Sequence, residues 1–201
     1  MRTHSYESQS SLTPDLALQI LKEGNARFVR NLKAHRNLLE QVNETAEGQF
    51  PFATILSCID SRTSAELIFD QGLGDIFSIR IAGNVVNEDI LGSMEFATRI
   101  AGSKIIAVIG HTRCGAITGA CNQVKLGHLS TLLDKVRPAI DAETTTLENR
   151  NGSNADFVIN VTELNVRHAI DRIRQESSII REMEQAGSIR VIDLHGRLDQ
   201  V

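Results

Sequence analysis

Residues 52–58 form a short apolar run with little polar alternation, the pattern of a β-strand covered on both faces. Such a strand needs helices above and below it, and the chain supplies them in alternation. Further strands are expected at 76–81, 104–109 and 189–194, of which 104–109 is the clearest. Helical patterns occupy 64–69, closed by Gly72 and Gly74, then 89–100, stopped at Gly102, and 115–125. Three more follow at 129–136, which Pro138 is expected to break soon after, at 155–175 and at 179–185. Upstream, Thr13-Pro14-Asp15 combines a capping hydroxyl, a first-turn proline and an acid at the positive end of the dipole. It predicts a helix to about Val29, and a second helix is expected over 38–47, ended by Gly48.

Strands alternating with helices predict an α/β fold: a mostly parallel four- or five-stranded sheet flanked by helices. At 201 residues the chain reads as one domain with a substantial core. Residues 1–12 are expected to be flexible, 13–48 to form an N-terminal helical arm, and the polar stretch 141–154 to lie on the surface. A net charge of −4 argues against nucleic acid or an anionic membrane as partner, since both need a basic surface. No stretch reaches the ~20 apolar residues of a membrane span, and residues 1–11 lack the apolar core of a secretory signal. A cytoplasmic location is therefore expected, where thiols stay reduced. Three cysteines, an odd number, also argue against a disulfide framework.

Two clusters carry the chemistry: Cys58-Ile59-Asp60-Ser61-Arg62 and His111-Thr112-Arg113-Cys114-Gly115. Both fall at the carboxyl ends of expected strands, where sites form in α/β sheets. Cys58, His111 and Cys114 together offer two thiolates and an imidazole, the ligand set of a catalytic zinc site with a fourth position for water or Asp60. Asp60 can orient a metal-activated water, and Arg62 can hold Asp60 in a two-pronged pair. If Arg62 lets go, Asp60 could bind the metal and shut the site. Gly115 opens the following helix and leaves room for a small ligand. Cys121, two helical turns on, reads as a small buried hydrophobe. The histidines at 4, 35, 128, 168 and 195 have no partner spacing. Other readings are a structural zinc, which usually has four protein ligands, a redox thiol pair, and a plain Asp60–Arg62 ion pair.

The pattern C-x-D-x-R followed by H-x-x-C-G resembles the β-class carbonic anhydrases, and the likeness runs over about residues 16–191. Residues 21–28 are similar to that family's amino-terminal helix motif. Phe69-Asp70-Gln71-Gly72-Leu73-Gly74-Asp75 and Arg80-Ile81-Ala82-Gly83-Asn84 match its central segments. The resemblance implies reversible hydration of carbon dioxide to bicarbonate and a proton, with one Zn2+ per subunit on Cys58, His111 and Cys114. It implies Asp60 and Arg62 as the catalytic dyad, Gln49 and the Gly115 amide as bicarbonate contacts, and Phe77 and Ala82 as the lining of an apolar pocket for carbon dioxide. It further implies a homodimer or tetramer with sites near the subunit interface, the N-terminal arm packing across the partner. Hydrolases of carbonyl sulfide or carbon disulfide share these ligands and are the nearest rival. A noncatalytic zinc protein is another.

Three positions depart from the family pattern. Some members use a tryptophan three residues before the first cysteine in an inhibitory bicarbonate site; here that residue is Ile55. Residues 191–196 are shorter than usual and lack a tyrosine. Thr63-Ser64 replaces the more usual valine and proline, with little effect expected on the metal.

Overall fold

A computed structural model describes residues 3–196; the His195 side chain, which has no partner spacing in sequence, lies outside the described residues. Four strands form one all-parallel sheet in the order β2-β1-β3-β4. They are β1 (Ala53–Ser57), β2 (Ile76–Arg80), β3 (Ile105–His111) and β4 (Arg190–Gly196). Central β1 and β3 are buried at every residue, which is why their sequences show no alternation.

Successive side chains of these strands point to opposite faces, and each face has its own helical cover. Leu56, Ile106 and Val108 pack with α5 (Glu88–Glu95), α9 (Ala155–Glu176) and α10 (Ser178–Gln185). Ala53, Ile55, Ile105, Ala107 and Ile109 pack with α2 (Pro14–Val29) and α4 (Ala65–Ile68). A third cluster sits beside Cys58 and Cys114, built from α6 (Gly115–Cys121), α7 (Gly127–Asp134), α8 (Arg137–Ala142) and the start of α9. No helix among the described residues is long and apolar enough to cross a membrane.

Thr13 caps α2 through a hydrogen bond from the Leu16 N–H at 3.2 Å. The helix packs into its own chain through Ala17 and Leu21. Gly24 lies so close to Phe69 that a Cβ would come within 1.7 Å of its carbonyl oxygen. Leu16, Val29 and Leu32 of the arm, and Leu38, Leu39 and Val42 of α3 (Leu38–Glu44), are exposed.

Several boundaries differ from expectation for identifiable reasons. Helix α3 stops at Glu44, where the Thr45 hydroxyl bonds back to the Gln41 carbonyl at 2.8 Å. The helix expected over 89–100 widens into a π-helical turn at Phe96–Ile100. Pro138 sits in the first turn of α8 rather than ending α7, because its missing N–H costs nothing there. Within residues 1–12, α1 (Tyr6–Ser10) has a Ser5–Ser8 capping box, and buried Gln9 donates to the Pro51 and Ala101 carbonyls at 2.7 Å each.

Candidate metal centre

Cys58 directly follows β1, His111 is the last residue of adjacent β3, and Cys114 is the N-cap of α6. Parallel neighbours end on the same side of the sheet, so residues 53 apart in sequence meet there. One donor atom from each of the three lies within 4.8 Å of the others, and all three residues are buried. The two sulfurs are 3.8 Å apart. Two thiolates each about 2.3 Å from a tetrahedral zinc stand about 3.8 Å apart, so the spacing fits.

His111 is preset for the same task. Its Nδ1 donates to the Thr112 carbonyl at 3.0 Å, and its Nε2 is buried without a hydrogen-bond partner. In that tautomer Nε2 carries the free lone pair a metal needs. The Cys58 thiol is pulled down, chiefly by hydrogen bonding from the Cys114 thiol, with the Gly83 N–H assisting. Cys114 is pushed up by the same pairing and by burial. A divalent cation held there would take both sulfurs as thiolates and release their protons.

Beside the cluster, Arg62 grips Asp60 with two parallel bonds, Nε to Oδ1 at 3.0 Å and Nη2 to Oδ2 at 2.9 Å. The Arg62 backbone N–H adds a third, to Oδ1 at 3.0 Å. The Arg62 guanidinium is the main reason the Asp60 carboxyl is held down to about 2. The two-pronged pair expected from adjacency is thus formed.

The sequence profile of the carbonic anhydrase family matches residues 53–200. The chain belongs to the β-class carbonic anhydrases. The enzyme is a lyase that hydrates carbon dioxide, with a Cys/His/Cys metal-binding site. It is 34% identical over 195 residues to carbonic anhydrase 2 of Mycobacterium tuberculosis, covering 92% of this chain and 89% of that protein. Its fold is similar to the β-carbonic anhydrase CafA of Aspergillus fumigatus, with TM-score 0.71, 27% identity, and 92% and 86% of the two chains covered. It is also similar to a tetrameric β-carbonic anhydrase from Sordaria macrospora, with TM-score 0.69, 25% identity, and 92% and 93% covered.

Of the other expected site residues, two lie at the metal centre of the enzyme. Ala82 opens the turn Ala82–Asn84, whose Gly83 N–H donates to Cys58 Sγ at 3.4 Å. Gly115 is the first residue of α6, beside Cys114, and a Cβ there would meet nothing within 4 Å. Gln49 and Phe77 lie elsewhere. Gln49 is exposed ahead of β1, whose full length of about 16 Å separates it from Cys58. Phe77 is the second residue of β2, edge-on to Phe96 with ring centroids 6.4 Å apart. Both occupy the amino ends of the strands and neither joins the cluster within one chain.

Two residues not singled out by sequence hold the Cys58–Asp60 loop. Arg80 donates from Nε to the Cys58 carbonyl at 3.0 Å and from Nη2 to the Asp60 carbonyl at 2.5 Å. The buried Thr63 hydroxyl lies 2.8 Å from each of the same two carbonyls. Arg80 belongs to a segment matched to the family and Thr63 to a departure from it, yet only the fold shows what they touch.

Proposed function

We propose that the enzyme holds one Zn2+ per subunit on Cys58 Sγ, His111 Nε2 and Cys114 Sγ, with a fourth position left open beside the Asp60–Arg62 pair. The observation that carries this reading is a three-donor cluster with the carboxylate of Asp60, two residues from Cys58, already committed to an arginine fork. A structural zinc would want four protein ligands. Bound there, zinc acidifies a water so that a nucleophile is available near neutral pH.

The chain's own residues then do the orienting. Asp60 Oδ2, which takes one hydrogen bond from Arg62, has lone-pair capacity left and would accept a hydrogen bond from a water at the site, orienting its oxygen toward carbon dioxide. Arg62 keeps Asp60 off the metal; if the fork opens, Asp60 can take the fourth position and shut the site. Ala82 lines the pocket, and the Gly115 N–H contacts bicarbonate. Gln49 and Phe77 enter the site from a second copy of the chain, because their own metal centre lies at the far ends of their strands. The exposed apolar side chains of α2 and α3 fit an arm that packs on that copy. The tetrameric relative from Sordaria macrospora supports a homodimer or a tetramer. Three free thiols suit a reducing, cytoplasmic setting.

Stopped-flow hydration kinetics test the metal and the dyad together. Chelation should abolish turnover and added Zn2+ should restore it. Asp60→Asn should lower kcat/KM by about 10²-fold or more while zinc stays bound, and Arg62→Lys, which keeps the charge but not the fork, should fall between. Full activity in metal-free protein, or in Cys114→Ala, would overturn the reading.

A further inference from the structure

Asn165 is 2% exposed, in the middle of α9, on a buried helix face that also carries Val161, Thr162, Val166, Ala169 and Ile170. A buried amide among aliphatic side chains is costly unless it is hydrogen-bonded. Its Nδ2 donates to the Gly83 carbonyl at 2.8 Å, across 82 residues of sequence. Gly83 is the residue whose N–H points at Cys58 Sγ. It can do so because the turn Ala82–Asn84 is left-handed at both Gly83 (φ 68°) and Asn84 (φ 43°), a conformation that L-residues rarely adopt. Within the turn, one backbone bond, from the Asn84 N–H to the Ile81 carbonyl, closes it, so an external hold on the Gly83 carbonyl matters.

We propose that Asn165 is a positioning residue of the metal centre: by holding the Gly83 carbonyl it fixes the turn at Gly83, so that the N–H on the other side of the same Cα stays on the Cys58 sulfur. This rests on the metal-centre reading above and deepens it. Two thiolates already neutralise a divalent cation, which weakens its pull on a bound water. A hydrogen bond to one sulfur withdraws charge from that thiolate and returns electrophilicity to the metal. Helix α9 also seats directly on the strand that carries His111, since a Cβ at Gly110 would lie 2.6 Å from Val166 Cγ2. One helix therefore backs the strand that carries His111 and, through Asn165, the turn whose N–H meets Cys58 Sγ.

The test uses Asn165→Ala and Asn165→Leu, the second keeping the volume without the donor. Zinc affinity is read by competition with a chromophoric chelator, and the sulfur-to-metal charge-transfer band is read in the cobalt(II)-loaded protein. Both variants should bind zinc roughly 10- to 100-fold more weakly than wild type and shift the cobalt band. Ile173→Val, equally buried on the same helix, should lower Tm without moving either signal. A folded Asn165 variant with wild-type zinc affinity and cobalt spectrum overturns the proposal, as does an equal change in Ile173→Val. If neither Asn165 variant folds, NMR of wild type loaded with magnetically active cadmium decides. A scalar coupling between the Gly83 amide proton and the metal supports the proposal, and its absence overturns it. Wild type that binds no zinc would instead sink the metal-centre reading itself.

Discussion

Two glycines of this enzyme are kept for opposite reasons, and one methyl group separates them. At Gly24 a Cβ would run into the Phe69 backbone, so Gly24→Ala should fail to fold or lose most of its stability. At Gly115 a Cβ meets nothing, and alanine is the better helix former, with a smaller advantage at this first helical residue than in a helix interior. Gly115→Ala should therefore melt at or slightly above the wild-type temperature. It should nevertheless lower kcat/KM about tenfold or more, because the methyl occupies the space beside Cys114 where substrate must be oriented. Thermal melts and stopped-flow assays on the same preparation check both halves, and an unchanged kcat/KM would remove Gly115 from the site. Cys58, His111, Cys114, Asp60 and Arg62 could be picked out in sequence because their residue types have few other reasons to cluster at strand ends. Thr63, Arg80 and Asn165 could not. They act through backbone carbonyls, which any donor can reach, and only the strand register opposite Ser57 brings Arg80 to the Cys58 loop.

Elements followed the hydrophobic pattern closely where packing decides and poorly where polar groups do. Strands β1 to β4 and helices α2 and α9 lie within two residues of expectation, since each is set by one buried face or a strong cap. The polar segment after α8 reads as surface, yet Glu143 within it is 2% exposed and organises the loop. Its carboxylate accepts from the Thr145 and Thr146 N–H groups at 3.1 and 3.0 Å, from both threonine hydroxyls and from Arg150. Burial alone would raise its pKa, but these donors overcome it and pull the group down from 4.5 to about 2. Unfolded Glu143 thus takes up its proton near pH 4.5 while the folded group does not. Its contribution to stability is complete above that pH and is lost as pH falls toward about 2. Glu143→Gln should cost on the order of 3 kcal/mol at pH 7, leaving Arg150 without its charge partner. Acid titrations of stability should then run flatter between pH 4.5 and 3 in the variant; parallel curves would show that Glu143 does not carry the acid sensitivity.

For the whole molecule, the decisive fact is that the strands run parallel while the expected substrate contacts sit at both ends of them. Cys58, Asp60, Ala82, His111 and Cys114 gather at the carboxyl ends, whereas Gln49 and Phe77 lie at the amino ends. No rearrangement of loops within one chain closes a gap spanned by a five-residue strand, but a two-fold axis that sets one sheet's amino end beside another's carboxyl end does. On the proposed reading, each site would draw its metal ligands from one subunit and Gln49 from the other. Subunit mixing distinguishes this from a self-contained site. Cys114→Ala destroys the metal centre but keeps Gln49, and Gln49→Ala does the reverse. In a one-to-one random mixture half the dimers are mixed, and one of the two sites in each is complete. Activity should therefore recover to about a quarter of wild type, above the mean of the two parents. Differently tagged subunits, co-expressed and sorted, allow the mixed dimers to be assayed alone, where about half of wild-type activity is expected on the same site count. Mixed dimers no more active than the average of their parents would place Gln49 outside the site, and with it the requirement for a second chain at that position.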